Sequence, residues 1–288
     1  MTSLPTPANW ICPTCQRTNS PLEYCPACGE RRLHPHGLTL MGVAEQALES
    51  LLHGDSRIPR TLKALLLQPG RITHAWANGE RRRWMTPFQL FLFLNVIFYL
   101  AQSVSGINVL FTPLDTHLHN TFYGPLARTL IDAHLEHYGG TVSQLTNSFE
   151  HLERTNAKLL VIAMVPAFAL MLRAVFPRRQ RLGAIHVVFS LHFYAYLMIS
   201  LSLLFLAAAI PAAFLIHRLG ATTAGSIGDI LFVLQIAIIV IYLWQALDRV
   251  YLLSIPRRIT NLVLLTAAMW PVLVAYQLLL FLVTLHEI

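Results

Sequence analysis

The 288-residue sequence predicts an all-α polytopic membrane protein with about five transmembrane helices and a small zinc ribbon at its N-terminus. Three observations predict this fold class. The chain is 55% hydrophobic and only 12% charged, with a mean hydropathy of +0.54. Five apolar stretches are long enough to cross a bilayer. All four cysteines lie within the first 28 residues, in two CxxC pairs.

The two cysteine pairs are Cys12-Pro-Thr-Cys15 and Cys25-Pro-Ala-Cys28. Each CxxC turn directs two thiolates at one point, so two turns complete the tetrahedral four-sulfur shell of a structural zinc site. Two disulfides are the alternative, but no signal-like segment precedes the pairs, and iron is a remote competitor for an all-thiolate shell. We therefore expect one structural Zn²⁺ in a cytosolic ribbon over residues 1–33. A closed site of this kind leaves no open position for a substrate.

Residues 38–84 predict amphipathic juxtamembrane helices that do not cross the bilayer. In the first helix, apolar residues recur at helical spacing at Leu38, Met41, Ala44, Leu48 and Leu52. Pro69-Gly70 ends the second helix. A third helix over Arg71–Asn78 ends at Gly79, the residue type that commonly follows a helix.

A basic cluster directly precedes the first apolar stretch. It consists of Arg81, Arg82 and Arg83, and Trp76 and Trp84 lie on either side of it. Tryptophan and arginine in this arrangement suit the lipid headgroup layer, and we expect anionic headgroups as partners of the three arginines. The alternative is that the helices of this region pack on the ends of the spans.

The helical membrane domain is predicted over residues 85–288. The first stretch is marginal in length, so the alternative is a segment that enters the bilayer and returns. The third exceeds the length of a span, which a tilt, a bend at Pro211 or an extension beyond the membrane would accommodate. The five stretches are Pro87–Val104, Leu159–Phe176, Ile185–Ala209, Ile230–Leu247 and Leu262–Leu285.

The basic residues predict the orientation of the chain. With five spans, 17 of the 21 lysine and arginine residues fall on the side of the N-terminus. This asymmetry is the positive-inside pattern, and it agrees with the need of a zinc ribbon for reduced thiolates. We therefore expect the inner membrane of a bacterium, with a cytosolic N-terminus and an external C-terminus. The net charge of +7 is explained by this topology, so nucleic acid is not an expected partner.

An external helical loop is predicted over residues 106–156. A helix opens at Gly124-Pro125 and ends at Gly139, and Thr141-Val-Ser-Gln144 matches a capping box that starts a second helix. Val142, Leu145, Phe149 and Leu152 share one face of that helix. The favoured interpretation of the five loop histidines is that they are exposed and have no particular role, and the alternative is a metal or pH-sensing site. These histidines are His117, His119, His134, His137 and His151.

Two histidines lie within the third span. His186 and His192 are six residues apart, which places their rings on faces about 120° apart. Hydrogen bonding between helices is the favoured interpretation, ahead of a proton or substrate path and of a metal site. Polar residues at the end of the fourth span complete a candidate intramembrane polar site: Gln245, Asp248 and Arg249.

Three runs of the sequence resemble a bacterial family known only as domain of unknown function family 3667. They extend from Thr61 to Arg71, from Gly79 to Arg83 and from Pro87 to Asn95, and members of that family join an N-terminal zinc ribbon to several membrane helices. The segment Arg178–Leu197 is similar to the family's histidine-bearing helix. Its pattern often has an acidic residue before the first histidine and a further histidine after the second, where this chain has Ile185 and Tyr194. The resemblance implies an architecture and no established activity.

Three functions are compatible with these patterns. The favoured one is a non-enzymatic membrane protein whose ribbon binds a cytosolic protein partner or serves assembly or transport at the cell envelope. The second is a small carrier that uses a polar seam inside the membrane. The third is a lipid-active metalloenzyme that uses His186 and His192. The sequence contains no phosphate-binding loop, HExxH motif or GxSxG motif, which favours the first function.

Overall fold

The computed structural model of the chain describes residues 10–19, 24–30, 57–105, 109–176, 183–219 and 222–288. Two short strands, β1 (Trp10–Ile11) and β2 (Thr18–Asn19), form an antiparallel ribbon in which Trp10 pairs with Asn19 and Ile11 with Thr18. The predicted helix over Leu38–Leu52 lies outside the described residues.

Ten α-helices follow the ribbon in the described part of the chain. Two are short and precede the first span, three form the segment between the first and second crossings, and the others build the membrane bundle. Their bounds are α1 Ile58–Leu67, α2 Arg71–Ala77, α3 Pro87–Ser105, α4 Leu114–Leu118, α5 Gly124–Tyr138, α6 Val142–Leu160, α7 Met164–Val175, α8 Gly183–Leu219, α9 Thr222–Tyr251 and α10 Ile255–Glu287.

Four described helices are long and apolar enough to cross a membrane. They are α3, α8, α9 and α10, and the bent pair of α6 and α7 raises the number to five if it forms one broken span. The first apolar stretch, which was marginal by length, is a continuous 19-residue helix. The helix α8 does not stop at Ala209 but continues through Pro211 to Leu219.

The predicted second span, Leu159–Phe176, is not one straight helix. The helices α6 and α7 are bent by 56° at a 3₁₀ turn, Val161–Ala163. Proline has no N–H group, so Pro166 cannot donate to the carbonyl group of Ile162, and the helical ladder is interrupted at this turn. The predicted apolar stretch is therefore present as two helices joined by a bend.

The broken segment nevertheless connects the two ends of the bundle. At one end, the Tyr276 hydroxyl group of α10 donates to the Ala157 carbonyl oxygen at 2.8 Å. At the other end, the ring of Phe176 stacks on Tyr251, the last residue of α9, with centroids 4.1 Å apart. Tyr276 lies 21 residues after the start of α10, about 32 Å along the helix axis. The segment from Ala157 to Phe176 thus covers about the thickness of a bilayer core.

The helix α8 is the centre of the bundle. Of its apolar stretch, 61% is buried inside the protein, against 39% for α3, 33% for α9 and 28% for α10. It packs on α2, α3, α7 and α9. Both histidines of the predicted polar site lie on this helix, so the packing around α8 determines their surroundings.

The segment before the broken span forms a small helical cap on the end of α10. The core of this cap contains Leu114, Ala127, Ile131, Phe149 and Phe281. The predicted capping box at Thr141 is confirmed, because the Thr141 hydroxyl accepts from the Gln144 amide while the Gln144 side chain accepts from the Thr141 amide. We call this segment, residues 109–157, the outer cap. It lies at the end of the bundle opposite to the ribbon.

Candidate metal centre

The two cysteine pairs form two turns with the same hydrogen-bond pattern. In the first turn, the amide of Cys12 donates to the carbonyl of Arg17 and the amide of Gln16 donates back to the carbonyl of Cys12. In the second turn, Cys25 and Glu30 make the first of these bonds, and Gly29 and Cys25 make the second. Gln16 and Gly29 both have positive φ, which closes each turn. The repeated geometry directs both cysteine pairs toward one point.

The four sulfur atoms are arranged as the ligands of one metal ion. The Sγ atoms of Cys12 and Cys28 are 3.5 Å apart, those of Cys15 and Cys25 are 3.6 Å apart, and all four lie within 4.8 Å of one another. A tetrahedral shell with metal–sulfur bonds of about 2.3 Å has sulfur–sulfur edges of about 3.8 Å. The donor set therefore fits a metal ion, and no other such group of histidine, cysteine and acidic residues occurs among the described residues.

The surroundings of Cys12, Cys25 and Cys28 shift the pKa values of these three thiols in different directions. Burial raises the pKa of Cys12, and burial together with the neighbouring thiols raises the pKa of Cys28 to about 12. Burial also acts to raise the pKa of Cys25, but hydrogen bonds from the amides of Cys28 and Ala27 and from the thiols of Cys15 and Cys28 together lower the pKa to about 6. Four thiolates at this spacing repel one another, and a bound cation removes that repulsion. The cluster is therefore suited to a cation rather than to four free thiols.

The ribbon is attached to the membrane helices through Glu30. This side chain is only 3% exposed. Its Oε2 atom accepts hydrogen bonds from the Thr14 hydroxyl at 2.7 Å, the Arg81 amide at 3.1 Å and the Arg82 amide at 3.0 Å. One carboxylate thus joins both cysteine turns to the loop that precedes α3.

A close contact at Gly29 accompanies the Glu30 bonds. A Cβ atom at Gly29 would lie 1.4 Å from an Nη atom of Arg82, so the guanidinium group lies directly on the glycine. The carbonyl of Arg82 in turn accepts a hydrogen bond from Arg57 at 3.1 Å. The second cysteine turn, the basic cluster and the start of α1 therefore form one contact region.

The tryptophans beside the basic cluster are packed inside the protein. Trp76 and Trp84 are each 2% exposed, and the guanidinium group of Arg81 lies 5.1 Å from the ring centroid of Trp76. Arg83 pairs with Glu80 at 3.6 Å. The two tryptophans therefore pack against the ends of the spans, which was one of the two interpretations of this region. Their rings are too buried to lie in the lipid headgroup layer. Arg82 and Arg83 remain exposed.

The two histidines of α8 bond to different elements. The Nδ1 atom of His192 lies 2.8 Å from the hydroxyl of Thr73 on α2, and the Nδ1 atom of His186 lies 2.8 Å from the hydroxyl of Tyr251 on α9. Both imidazole rings are buried. Each histidine therefore fastens α8 to one neighbouring segment, and the bonds of the two rings do not converge on one ligand.

The polar residues at the end of α9 have partners of their own. Asp248 forms an ion pair with Arg258, and Arg249 donates to the carbonyl oxygen of Pro69 at 2.8 Å. Gln245 is half-buried. The contacts in the described part of the chain thus place His186, His192, Asp248 and Arg249 in four separate interactions.

A buried polar cluster in the outer cap was missed by the sequence interpretation. His117 and Glu153 have no exposed side-chain surface, and the Nε2 atom of His117 lies 2.9 Å from Oε1 of Glu153. The Nδ1 atom of His117 lies 2.8 Å from the Tyr123 hydroxyl, and Glu153 also accepts from the Thr112 amide at 3.3 Å. The prediction that the loop histidines are exposed is therefore wrong for His117. It is right for His119, His137 and His151.

The sequence did contain a signal for this cluster. Glu153 follows Leu145 and Phe149 at intervals of four residues, so it lies on the buried face of α6. Val142 was assigned to that face but is 54% exposed. A glutamate on an apolar stripe needs a buried partner, and His117 on α4 is that partner.

Glutamine is expected to replace either histidine of α8 at a cost of about 1 kcal/mol or less, because an amide can donate or accept across the same helix contact. Thermal unfolding in detergent of the His186→Gln and His192→Gln variants measures this cost. A variant that melts like the wild type but does not complement a deletion strain would contradict a purely structural role. The Thr73→Val variant is the matched control for loss of the His192 bond.

Comparison with known proteins connects one segment of the chain to a family. Residues 55–99 match the sequence model of a family described as protein of unknown function (DUF3667). The match confirms the predicted resemblance to this uncharacterised family over that segment. No curated protein and no solved structure matches the chain. The matched residues include α1, α2 and the Arg81–Arg82 loop whose amides donate to Glu30, whereas Glu30 itself lies outside the matched segment.

Proposed function

We propose that the chain is a non-enzymatic protein of the bacterial inner membrane in which a zinc ribbon braces the cytosolic end of the helical bundle. The ribbon also binds a cytosolic protein partner, and this interaction serves assembly or transport at the cell envelope. The observation that carries the proposal is the attachment of the ribbon through Glu30 to the loop before α3.

The chemistry of the four-cysteine cluster supports a structural role. Four thiolates fill the tetrahedral shell of Zn²⁺, so no coordination position is left for a water molecule or a substrate. The cation would hold the two turns together, and Glu30 follows directly on the second turn. Metal binding thereby stabilises the surface that contacts the membrane helices.

The distribution of charge supports a cytosolic ribbon. The described ribbon end of the bundle holds Arg71, the cluster Arg81–Arg83, Arg249 and the pair Arg257-Arg258, whereas the outer cap holds Arg128 and Arg154. Excess arginine marks the cytosolic side of a membrane protein. Arg82 and Arg83 are exposed at this end of the bundle, where anionic headgroups would attract their charge.

The exposed surface of the ribbon supports a protein partner. Two large side chains of the ribbon lie on its surface. Ile11 on β1 is 64% exposed and Tyr24 is 53% exposed. Aromatic and aliphatic side chains of this kind are common in protein interfaces.

A carrier is the second candidate, and one observation favours it. The Nε2 atom of His192 is buried and has no hydrogen-bond partner in the described part of the chain. Buried polar atoms inside a membrane bundle are costly and often line a path for a polar ligand. His186 and His192 would also be the ligands or bases of a lipid-active enzyme, which is the third candidate.

Reporter fusions test the orientation on which the proposal depends. Fusions after Arg83, Arg179 and Arg257 are expected to report the cytosol, and fusions after Thr146, Thr223 and the C-terminus are expected to report the external side, because the positive-inside rule places the arginine-rich end in the cytosol. A cytosolic C-terminus would mean an even number of crossings. It would contradict the external C-terminus and would show that one of the five predicted stretches does not cross the membrane.

A further inference from the structure

The short helix α2 is held in place from two sides. It contains only seven residues, and an isolated helix of that length is not stable in water. Its helical state therefore depends on contacts with the rest of the protein. The side that faces the bundle touches α8 and α9, and the loop that follows α2 touches the ribbon.

The contacts with the bundle are close and specific. The Thr73 hydroxyl bonds to His192 of α8, and the Pro69 carbonyl at the α1–α2 corner accepts from Arg249 of α9. Gly70, with a φ of +80°, lies so near to α9 that a Cβ atom would be 2.7 Å from the Cα atom of Ala246. The corner therefore fits against α9 only while α2 keeps its present position.

The contacts with the ribbon fix the other side. The amides of Arg81 and Arg82 donate to Glu30, and Glu80 and Trp84 continue the loop with amide bonds to Ala75 and Arg81. Glu30 is itself oriented by both cysteine turns, because its backbone carbonyl accepts from Cys25 and its side chain accepts from Thr14. The position of the carboxylate therefore depends on the two turns being held together.

We propose that the ribbon is a metal-dependent latch on α2. With the metal bound, Glu30 holds the Arg81–Arg82 loop and keeps α2 seated on α8 and α9. When the metal is removed, the two turns separate and the hydrogen bonds of Glu30 to the loop break. The packing of α2 on the central helix α8 then weakens. The latch rests on the structural metal of the proposed function and adds a regulatory consequence, namely that the metal state of the ribbon is transmitted to the helix that carries His192.

Hydrogen–deuterium exchange read by mass spectrometry tests the latch on the full-length protein in detergent. Exchange is compared for the zinc-loaded wild type, the same protein after chelation, and the zinc-loaded Glu30→Ala variant, which keeps all four cysteines. Exchange of the amides of residues 71–86 is expected to rise roughly tenfold to a hundredfold in the last two samples, because the charge-assisted bonds to Glu30 are lost. The outer cap is expected to be unchanged.

The Glu80→Ala variant is the matched control. Glu80 lies in the same loop and pairs only with Arg83 among the ion pairs of the described residues, so its removal is expected to leave the exchange of residues 71–86 at the wild-type rate. Should Glu30→Ala fail to accumulate, the chelated wild type decides. Wild-type protection of residues 71–86 after the metal has gone, or in metal-loaded Glu30→Ala, would overturn the latch.

The zinc content of the same samples separates this inference from the proposed function. A wild-type protein that binds no metal would contradict the structural ribbon itself. A protein that binds zinc and keeps α2 protected after its removal would contradict only the latch.

Discussion

Serine at any one of Cys12, Cys15, Cys25 and Cys28 is expected to release the metal and unfold the ribbon while the membrane helices still insert. Metal binding contributes about 10–16 kcal/mol to small zinc-built folds, which is more than a two-stranded ribbon can supply by itself. Insertion depends on apolar length, which the serine variants do not change. Tryptic cleavage after Arg17, an exposed residue of the ribbon, is expected to be slow in the wild type and fast in the variants.

The matched control is Ile11→Ser, which places the same residue in the same ribbon at a position that is 64% exposed and has no ligand role. Its cleavage rate is expected to equal that of the wild type. Slow cleavage in a variant with all four cysteines replaced would show that the ribbon folds without a metal, and the structural role of the cation would then be wrong.

Alanine at His117 is expected to destabilise the outer cap by about 3–5 kcal/mol, because removal of one partner of a buried pair leaves the other uncompensated. Glu153 would lose its imidazole partner, and Tyr123 would lose the nitrogen to which its hydroxyl bonds. Thermal unfolding in detergent measures the loss. His119→Ala is the matched control, since the side chains of His119 and Asp115 are 71% and 85% exposed and their ion pair contributes little.

The loss at His117 is expected to depend on pH. Burial raises the pKa of Glu153, and the hydrogen bond and charge of His117 oppose that rise. In His117→Ala the pKa of Glu153 therefore rises further above the unfolded value of about 4.3. A raised folded-state pKa gives stability that is present at low pH and is lost as the pH rises through that pKa. The melting temperatures of the variant and the wild type are thus expected to approach each other at about pH 5 and to separate at about pH 8. A difference that is the same at both values would contradict the ionisation of Glu153.

The sequence predicted the membrane helices well because their signal is local. Apolar length alone identified α3, α8, α9 and α10, and their bounds differ from the prediction mainly by added turns outside the apolar core. Apolar composition located the second stretch but did not reveal the bend of 56° within it. The effect of Pro166 on the ladder depends on the neighbouring turn, which composition does not describe.

The site was predictable only in its local part. The CxxC spacing identified the four clustered cysteines because each turn is closed within six residues. The bonds of Glu30 to Arg81 and Arg82 span more than fifty positions, and Thr73 lies 119 positions from His192. The spacing of residues along the sequence does not reveal hydrogen bonds between residues that lie so far apart. The burial of Glu153 was readable from its place on the stripe of Leu145 and Phe149, but its partner on α4 was not.

Metal analysis of the purified protein, with and without residues 1–33, shows whether the ribbon holds the metal ion of this protein. The full-length chain is expected to hold one zinc ion, and the chain that begins at His34 is expected to hold none, because the four-cysteine cluster is the only group of metal ligands among the described residues. Stoichiometric metal that survives the truncation would contradict a ribbon that holds the metal through its four cysteines. It would point instead to a metal site within the membrane helices and to the enzyme that the histidines of α8 would serve.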